Sequence, residues 1–275
     1  MLSETADTIF AANRAIGRIA LNAKWAEGAT RRGRVHEQGA WRVRCPGPPA
    51  GELEAMMVNT AGGMAGGDRL ELDFAVGLGA RLLVTSAAAE KVYRTLGPDT
   101  TVAAKLDVAA GGELAWLPQE TILFNRARLR RTIEINLAAD ARLLLAEAVI
   151  LGRSGMGETI AEGSWLDRWR VRRDGMLLHA ETVRLDGNVA ARLAQSGVAK
   201  GGVAMATVLS IPGDEAMVAA VRAESRHCHG ELAASAWNGR AVVRLVAADG
   251  AALRHDLARV LTSIRGGRLP RLWLH

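Results

Sequence analysis

A strand–turn–strand pattern recurs three times in the first half of the chain, and it constrains the fold more than any other feature. Each copy has alternating apolar residues, a turn of small residues and a second apolar strand, over residues 72–84, 106–116 and 133–145. When Val76, Val108 and Leu137 are taken as equivalent, the copies are offset by 32 and 29 residues. Repeats of this length predict stacked β units that bury a shared core against one another. An ordinary β-meander accounts for the pattern nearly as well, and both interpretations give an all-β body.

The segments around the repeat also have the pattern of strands joined by tight turns. Apolar runs predict strands over residues 18–25, 41–45, 53–58, 165–173, 176–185, 203–211 and 240–246. Asp174-Gly175 is a strong hairpin signal between two of these strands. The basic, glycine-containing segment 28–39 is predicted to be a loop, and residues 1–15 a loosely ordered terminus.

Two helices are predicted in the C-terminal third of the chain. Asp214 is placed to cap a helix that runs from Glu215 to about Arg226. Asp249 precedes the clearest helical pattern, an apolar stripe that ends at a Gly-Gly pair: Leu253, Leu257, Val260, Leu261 and Ile264. The apolar tail, residues 270–275, is expected to dock on the body. Because no segment has the composition of a linker, residues 1–275 are predicted to form one domain.

The charge of the chain is basic but does not by itself identify a partner. The 275 residues carry a net charge of +6, and only four of the 35 basic residues are lysines. Such an arginine bias more often reflects genome composition than nucleic-acid binding, and no nucleic-acid-binding motif accompanies it. A basic nucleic-acid-binding β protein stays as an alternative, as does a basic face for an acidic protein partner. Two distant cysteines, no secretory signal and no apolar run of membrane-spanning length predict a soluble, cytoplasmic protein.

One loop, residues 59–68, has four glycines within six positions: Gly62, Gly63, Gly66 and Gly67. This spacing predicts tight turns or a close approach of the backbone. A phosphate-binding loop would need a lysine and a hydroxyl residue after the last glycine, whereas Asp68 and Arg69 follow here. The loop is therefore interpreted as an element that shapes the backbone at a contact surface, with Asp68 as its ionisable side chain.

Glu147 is the least ordinary of the carboxylates. It lies in an apolar run, residues 143–151, where a strand would bury it unless it is paired or hydrated. This placement predicts an internal polar path or an ion pair with an arginine. For Glu120, Glu158 and Glu181, near strand ends or turns, solvation is the simpler interpretation. A hydrolase-like enzyme that uses Glu147, Glu158 and a histidine is the alternative that these side chains leave open.

The run His227, Cys228 and His229 is the densest group of soft metal ligands. Adjacent residues rarely converge on one ion, so the run is a weak candidate for zinc or nickel, and an exposed helix end accounts for it at least as well. Ser154 lies in a sequence close to a nucleophile elbow, but Met156 stands where that motif needs its second glycine. Ser154 is therefore interpreted as an ordinary loop serine.

Five segments, in this order and spacing, resemble the urease accessory protein UreD family, also called UreH: residues 59–68, 91–94, 116–124, 151–158 and 270–273. The resemblance extends from about Arg18 to the C-terminus. It implies a single, mainly β domain of superhelical or sandwich-like stacked strands with two α-helices in the C-terminal third. It also implies a maturation factor for the nickel enzyme urease rather than an enzyme. Met64-Ala65 and Glu90 depart from the residues common in the family.

The resemblance further implies partners and a route for metal. The expected partners are urease accessory protein F, through it the GTPase urease accessory protein G, and the apo-urease subunits. Ni²⁺ is expected in transit through an internal polar passage, with no tightly bound cofactor. The implied candidates for passage or partner contact are Asp68, Glu147, Glu158 and Glu181. The signature residues are Gly62, Gly63, Gly66, Gly67, Lys91, Tyr93, Arg94, Gln119 and Glu120.

Overall fold

Two β-sheets packed face to face form the body of the protein. The computed structural model describes residues 14–48, 50–95, 97–266 and 269–273. In chain order the strands are β1 (Ile16–Ala26), β2 (Ala29–Gln38), β3 (Trp41–Arg44), β4 (Leu53–Asn59), β5 (Arg69–Val76), β6 (Arg81–Ser86), β7 (Glu90–Val92), β8 (Thr100–Val108), β9 (Glu113–Trp116), β10 (Thr121–Leu123), β11 (Arg128–Leu137), β12 (Arg142–Arg153), β13 (Glu158–Thr159), β14 (Glu162–Arg173), β15 (Met176–Asn188), β16 (Ala204–Ile211), β17 (Glu231–Trp237) and β18 (Arg240–Ala247). The seven-stranded sheet has the order β15-β14-β11-β8-β5-β1-β2. The eleven-stranded sheet has the order β17-β18-β16-β12-β9-β6-β4-β3, with β7, β10 and β13 attached beside it.

The strands of the repeat stack in parallel. Val76 pairs with Val108 and Val108 with Leu137 in the seven-stranded sheet, so the residues taken as equivalent in the sequence lie in register. The second strands of the copies pair in the same way in the other sheet, where Arg81 and Arg142 both align with Glu113. The β-meander interpretation is wrong, because neighbouring strands of a meander run antiparallel. The chain winds as stacked, β-solenoid-like units, and the predicted mainly β fold is confirmed.

Alternation decides which side chains fill the space between the sheets. In β5, β8 and β11 the buried positions recur at every second residue over most of each strand, as a period of two requires. They place Phe74, Leu106 and Ile133 in the core. The Phe74 ring meets the Trp116 ring edge to face across the sandwich, with centroids 5.5 Å apart. Each fully buried side chain of this size stabilises the fold by about 1.5–3 kcal/mol. The same alternation buries any charged residue that occupies an inward position.

Two longer helices cover the opposite face of the eleven-stranded sheet, whereas a short one packs on β14 and β15. Helix α1 (Val189–Leu193) is short, whereas α2 (Glu215–Ala223) and α3 (Gly250–Arg265) are the two predicted helices. Asp214 and Asp249 cap them by accepting hydrogen bonds from backbone N–H groups. A 3-10 turn, Glu224–His227, continues α2 where the sequence predicted more α-helix. The predicted apolar stripe of α3 packs against β16 and β18, and Gly266, with a φ of 59°, ends the helix.

The described part of the C-terminal tail docks on the body, as predicted. Trp273 is 2% exposed, and its indole N–H donates to the carbonyl oxygen of Leu117 at 3.1 Å. Gly267, Leu274 and His275 lie outside the described residues, as do residues 1–13 of the predicted loose terminus. In the described part of the chain, none of the helices has the length and apolar character that crossing a membrane would require.

The prediction of a loop over residues 28–39 is wrong. These residues form β2, which pairs antiparallel with β1. Glu27 and Gly28, with φ of 53° and 74°, form the tight turn that joins the two strands. Strand β2 lies at the edge of its sheet and is largely exposed, so basic and polar side chains can occupy it without apolar alternation. Strand β17 and helix α1 also escaped the sequence-based prediction.

Candidate functional site

Glu147 points from β12 into the space between the sheets and pairs with an arginine. Its Oε2 accepts a hydrogen bond from Nη1 of Arg131, which reaches across from β11 of the opposite sheet. The two side chains are only 4% and 7% exposed. The prediction that Glu147 is buried and paired with an arginine is therefore confirmed.

Asp167 joins this pair from the strand next to Arg131. It lies on β14, directly opposite Arg131 in the parallel register of the seven-stranded sheet. Its Oδ2 accepts hydrogen bonds from Nη2 and, at 3.1 Å, from Nε of Arg131. The indole N–H of Trp169 donates to Oδ1 of Asp167 at 3.0 Å, and that of Trp116 donates to Oε1 of Glu147 at 2.8 Å. One guanidinium and two indoles thus hold both carboxylates, and we call Arg131, Glu147 and Asp167 the junction.

The junction places two acidic groups and one basic group in a desolvated interior. Burial raises the pKa of Glu147 to about 7, and the attraction of Arg131 offsets only part of that rise. Desolvation acts to lower the pKa of Arg131, but the charges of Asp167 and Glu147 outweigh it and hold that pKa above its usual value. The guanidinium therefore stays charged. With both carboxylates ionised the junction carries a net charge of −1, which attracts a cation.

A cavity of about 370 Å³ lies on one side of the junction. We call it the loop cavity, because the glycine loop and neighbouring strands form its rim, where Gly62, Ala88 and Lys91 are exposed. Burial raises the pKa of Glu90 in its wall to about 7. Arg131 and Glu147, both buried, also line it. Between rim and junction its wall includes polar residues with oxygen atoms: Asn59, Ser86, Glu90, Gln119 and Thr121.

A second cavity, of about 420 Å³, is lined by the junction as well. We call it the edge cavity, because its wall includes β15 at the edge of the seven-stranded sheet. Glu181 lies in its wall, and Nη2 of the exposed Arg244 donates to Oε2 of Glu181 at 2.7 Å. Arg131, Glu147 and Asp167 line this cavity, and the first two also line the loop cavity. The junction is therefore a charged partition shared by the two cavities.

Three of the five segments that resemble the UreD family, residues 59–68, 91–94 and 116–124, line the loop cavity, and the other two contact the third of these. The backbone N–H of Met64 donates to the carbonyl oxygen of Lys91 at 2.7 Å, which joins the first segment to the second. Strand β10 of the third segment pairs with β7 and with β12, where Leu123 lies opposite Leu151. The tail segment contacts the third segment, because the indole N–H of Trp273 donates to the carbonyl oxygen of Leu117. Segments up to 214 residues apart in sequence thus form one continuous region.

Two of the loop glycines are required by close contacts. A Cβ at Gly63 would lie 2.6 Å from the Tyr93 ring, and one at Gly66 would lie 2.0 Å from Oγ1 of Thr95. The Tyr93 hydroxyl donates to the carbonyl oxygen of Gly62 at 2.9 Å, so the signature tyrosine fastens the loop. The predicted close approach of the backbone is confirmed.

Asp68 closes the loop from within. Its Oδ1 accepts a hydrogen bond from the backbone N–H of Ala15 at 2.9 Å, and its Oδ2 accepts one from that of Ala65 at 2.7 Å. Asp68 is 8% exposed and is not among the residues that line the loop cavity or the edge cavity. The geometry gives it a role in loop conformation, and its contact with nickel or a partner stays a prediction.

Gln119 and Glu120 connect the wall of the loop cavity to α3 and the tail. Arg254 of α3 donates to Oε1 of Gln119, to Oε1 of Glu120 at 3.1 Å and to the carbonyl oxygen of Leu272. Gln119 also lines the loop cavity. These two signature residues therefore fix the position of the tail beside the cavity. Arg94, the last residue of the second segment, forms a β-bridge with Ala127.

Glu158 lies apart from the junction. It accepts a hydrogen bond from Nε of Arg153 at 2.7 Å, and the Arg153 guanidinium lies over the Phe124 ring, 4.0 Å from its centroid. Glu158 lines neither the loop cavity nor the edge cavity. The structure thus does not bring Glu147 and Glu158 together at the junction, as a hydrolase that used both would need.

His227, Cys228 and His229 do not form a metal centre of three ligands. The thiol of Cys228 contacts the carbonyl oxygen of Glu224 at 3.5 Å, and burial raises its pKa. The His229 ring lies against that of His255, with centroids 4.6 Å apart and the ring planes tilted by 55°. Within residues 14–48, 50–95, 97–266 and 269–273, no group of three or more His, Cys, Asp or Glu side chains is arranged to hold a metal ion.

Comparison with known proteins identifies the family of this chain. The family model described as "UreD urease accessory protein" matches residues 15–274, which is nearly the whole chain. The chain belongs to the UreD family of urease accessory proteins. This is a family of accessory proteins and not of enzymes, so the resemblance seen in the sequence is confirmed.

Proteins named urease accessory protein UreD are similar to this chain over their whole length. The one from Rhodopseudomonas palustris strain BisA53 is 52% identical over 274 residues, which is 100% of this chain and 95% of that protein. The one from strain HaA2 is 54% identical over 266 residues, covering 97% and 95% of the two chains. The one from Bradyrhizobium diazoefficiens is 50% identical over 268 residues, covering 98% and 97%.

Sequence reasoning found Glu147 but missed the rest of the junction. The sequence did not single out Arg131, Asp167, Trp116 or Trp169 as partners of Glu147. A signal was present for Arg131, because it alternates with Leu129 and Ile133 and so had to point inward. Which acid would face it depends on strand register, which the sequence alone did not provide.

Proposed function

We propose that this chain acts in urease maturation both as a scaffold and as a route for Ni²⁺. As a scaffold it joins urease accessory protein F, and through it the GTPase urease accessory protein G, to apo-urease in the cytoplasm. As a route it lets Ni²⁺ pass between the loop cavity and the edge cavity through the junction. The family supports the accessory role, and the relatives' printed name, urease accessory protein, supports urease as the target.

The observation that carries the route is that Arg131 and Glu147 line both cavities. We propose that a rearrangement of these two shared side chains makes the cavities continuous. In an apolar core the partition would be closed by aliphatic groups, which offer nothing to a dehydrated cation. Here the partition has carboxylate oxygens, and Thr121 adds a hydroxyl on the loop-cavity side.

The chemistry of these groups suits a cation that must be released again. Carboxylate, hydroxyl and amide oxygens are weak ligands for Ni²⁺ compared with thiolate or several imidazoles. Glu90, Glu147 and Glu181 supply carboxylates in the loop cavity, at the junction and in the edge cavity. Ni²⁺ is the cargo in this proposal and not a resident cofactor.

The scaffold has structural support in the continuous region around the loop cavity. It combines the glycine loop, the strands at its rim, helix α3 and the docked tail, all held by hydrogen bonds between segments distant in sequence. A surface built in this way presents a fixed shape to a partner without ordering loops on binding. We assign the surface formed by the glycine loop, the rim strands, helix α3 and the tail as the contact with accessory proteins; the Arg153–Glu158 pair lies outside it.

The test is urease activation with a variant that removes one charge from the junction. Glu147→Gln keeps the shape of the side chain and an amide oxygen for the Trp116 indole. Glu158→Gln is the matched control, because it makes the same change at a carboxylate outside both cavities. Apo-urease is incubated with the complex of accessory proteins, Ni²⁺ and bicarbonate, and urease activity and bound nickel are measured.

We expect Glu147→Gln to lower activation by roughly tenfold or more while the complex still assembles, the size of effect seen when groups around a metal are changed. Glu158→Gln should activate like the unmodified chain. Full activation with Glu147→Gln would remove the junction from the route. Loss of the complex with Glu147→Gln would show that the residue serves the scaffold.

A further inference from the structure

Arg131 occupies the place at the junction where a transiting cation would be expected. Its guanidinium lies between the Glu147 carboxylate from one sheet and the Asp167 carboxylate from the other. Without the guanidinium, two buried carboxylates facing the same point would be neutralised either by protonation or by a divalent cation. A permanent positive charge on a side chain fills that point instead.

We propose that Arg131 is a tethered counter-cation that a divalent metal ion displaces at the junction and that returns after the ion leaves. It keeps the two cavities separate when no metal is present, and it lowers the affinity of Glu147 and Asp167 for metal so that the ion is not trapped. This inference rests on the proposed route for Ni²⁺ and names the residue that controls it.

The surroundings of Arg131 give its guanidinium somewhere to go. Nη1 already lies 3.4 Å from Oγ1 of Thr121, which lines the loop cavity. A rotation about the outer bonds of the Arg131 side chain would replace its contact with Glu147 by a contact with Thr121. The guanidinium would then point into the adjoining cavity, and β11 would not have to move. The cavity beside it has a volume of about 370 Å³, so the displaced group would not have to enter packed core.

The charge balance supports exchange rather than addition. The junction with Arg131 in place carries one net negative charge when both carboxylates are ionised. A divalent ion that entered beside the guanidinium would face its positive charge at close range in a medium of low dielectric constant. Removal of the guanidinium from contact leaves two carboxylates for two positive charges, which is a neutral arrangement. Displacement of the guanidinium by the ion is therefore favoured over binding of the ion beside it.

A purely structural ion pair is the competing account of the same contacts. Buried arginine–carboxylate networks occur in proteins without any transport role, and breaking them is destabilising. The two accounts differ in what they predict for metal affinity. A structural pair has no metal to compete with, whereas a counter-cation must weaken metal binding as long as it is present.

The experiment compares Ni²⁺ binding by Arg131→Met with binding by Arg130→Met. Arg130 is the matched control because it is the neighbouring residue on β11, is exposed and pairs with Asp99 on the outer face of the sheet. The full chain, purified with its accessory-protein partner, is titrated with Ni²⁺ in equilibrium dialysis, and near-ultraviolet circular dichroism reports whether the complex is folded. Urease activation is measured with the same preparations.

We expect Arg131→Met to bind Ni²⁺ more tightly by on the order of tenfold or more, since a neighbouring positive charge has been removed from two carboxylates. It should release nickel slowly and activate urease poorly. The added substitution Glu147→Gln should abolish the gain in affinity, which ties that gain to the junction. Arg130→Met should match the unmodified chain in both measurements.

Equal Ni²⁺ affinity in folded Arg131→Met and the unmodified chain would overturn the inference. Where Arg131→Met does not fold, Arg131→Gln takes its place, because its amide can donate a hydrogen bond to one of the two carboxylates while carrying no positive charge. That variant should also bind Ni²⁺ more tightly, and failure to do so counts against the counter-cation. Tight binding by Arg131→Met together with full activation by Glu147→Gln would keep the counter-cation but reject the route.

Discussion

Strand β12 carries two carboxylate–arginine pairs that have the same chemistry in different surroundings. Glu147 pairs with Arg131 between the sheets, where the two side chains are 4% and 7% exposed. Six residues along the strand, Arg153 pairs with Glu158, and these side chains are 37% and 25% exposed. The first pair is shared by two cavities and the second is not. The two pairs have the same chemical groups, so the difference in burial determines the energetic cost of their charges. Only the buried pair is also placed to contact an ion in the cavities.

The largest expected difference between the pairs concerns the loss of one partner. Arg131→Met should lower the free energy of unfolding by about 3–5 kcal/mol, because it leaves buried carboxylates without a counter-charge. Arg153→Met should change it by no more than about 1 kcal/mol, as for other solvated pairs. Urea unfolding followed by tryptophan fluorescence measures both. Similar losses of unfolding free energy in the two variants would contradict the expected effect of burial.

The buried carboxyls should also give the stability a pH dependence. Burial raises the pKa of Glu147 and that of Glu90 from the usual 4.5 to about 7 in the folded protein. The folded state therefore binds more protons than the unfolded state between these values, so the free energy of unfolding falls as pH rises from 4.5 through about 7. Glu147→Gln and Glu90→Gln should each remove part of this slope in urea unfolding at several pH values. An unchanged slope in both variants would contradict the assignment.

The smallest expected effect concerns salt. The Arg153–Glu158 pair is accessible to ions, so whatever stability it contributes should disappear near 1 M salt, where the screening length is about 3 Å. The loss caused by Arg131→Met should persist, because the charges of the junction are in direct contact in a medium of low dielectric constant, where salt screens them much less. Unfolding of both variants at low and high salt tests this. A loss at Arg131 that salt abolishes would mean that the junction is hydrated and screened.

The fold was predictable where a local pattern repeats. The alternation around Val76, Val108 and Leu137 and their offsets of 32 and 29 residues were enough to predict an all-β body with a repeated unit, and the structure puts these residues in register. The sequence alone could not distinguish stacked units from a β-meander, because it shows which residues alternate but not which strands pair. Strand β2 was not predicted from the sequence, because an exposed edge strand needs no apolar alternation.

The site was predictable only in part for a related reason. Glu147 stood out because a charge in an apolar run needs a partner. Arg131 and Asp167 come from strands whose register brings them together, and Asp167 lies 36 residues from Arg131 in the sequence. The cavities on the two sides are properties of the packed sheets. The family resemblance implied a passage, whereas the residues that partition it required the structure.

The central claim is that charge at the junction, and not only its shape, is needed to deliver nickel. The most direct measurement uses the uncharged variant Arg131→Met with Glu147→Gln and Asp167→Asn, whose amide oxygens can still accept from Trp116 and Trp169. The matched variant Arg153→Met with Glu158→Gln removes the exposed pair instead. Each is assembled with the accessory proteins and apo-urease, and the nickel content and activity of urease are measured. We predict that both complexes assemble but that only the variant of the exposed pair activates urease. Normal nickel delivery by the uncharged junction would contradict the claim.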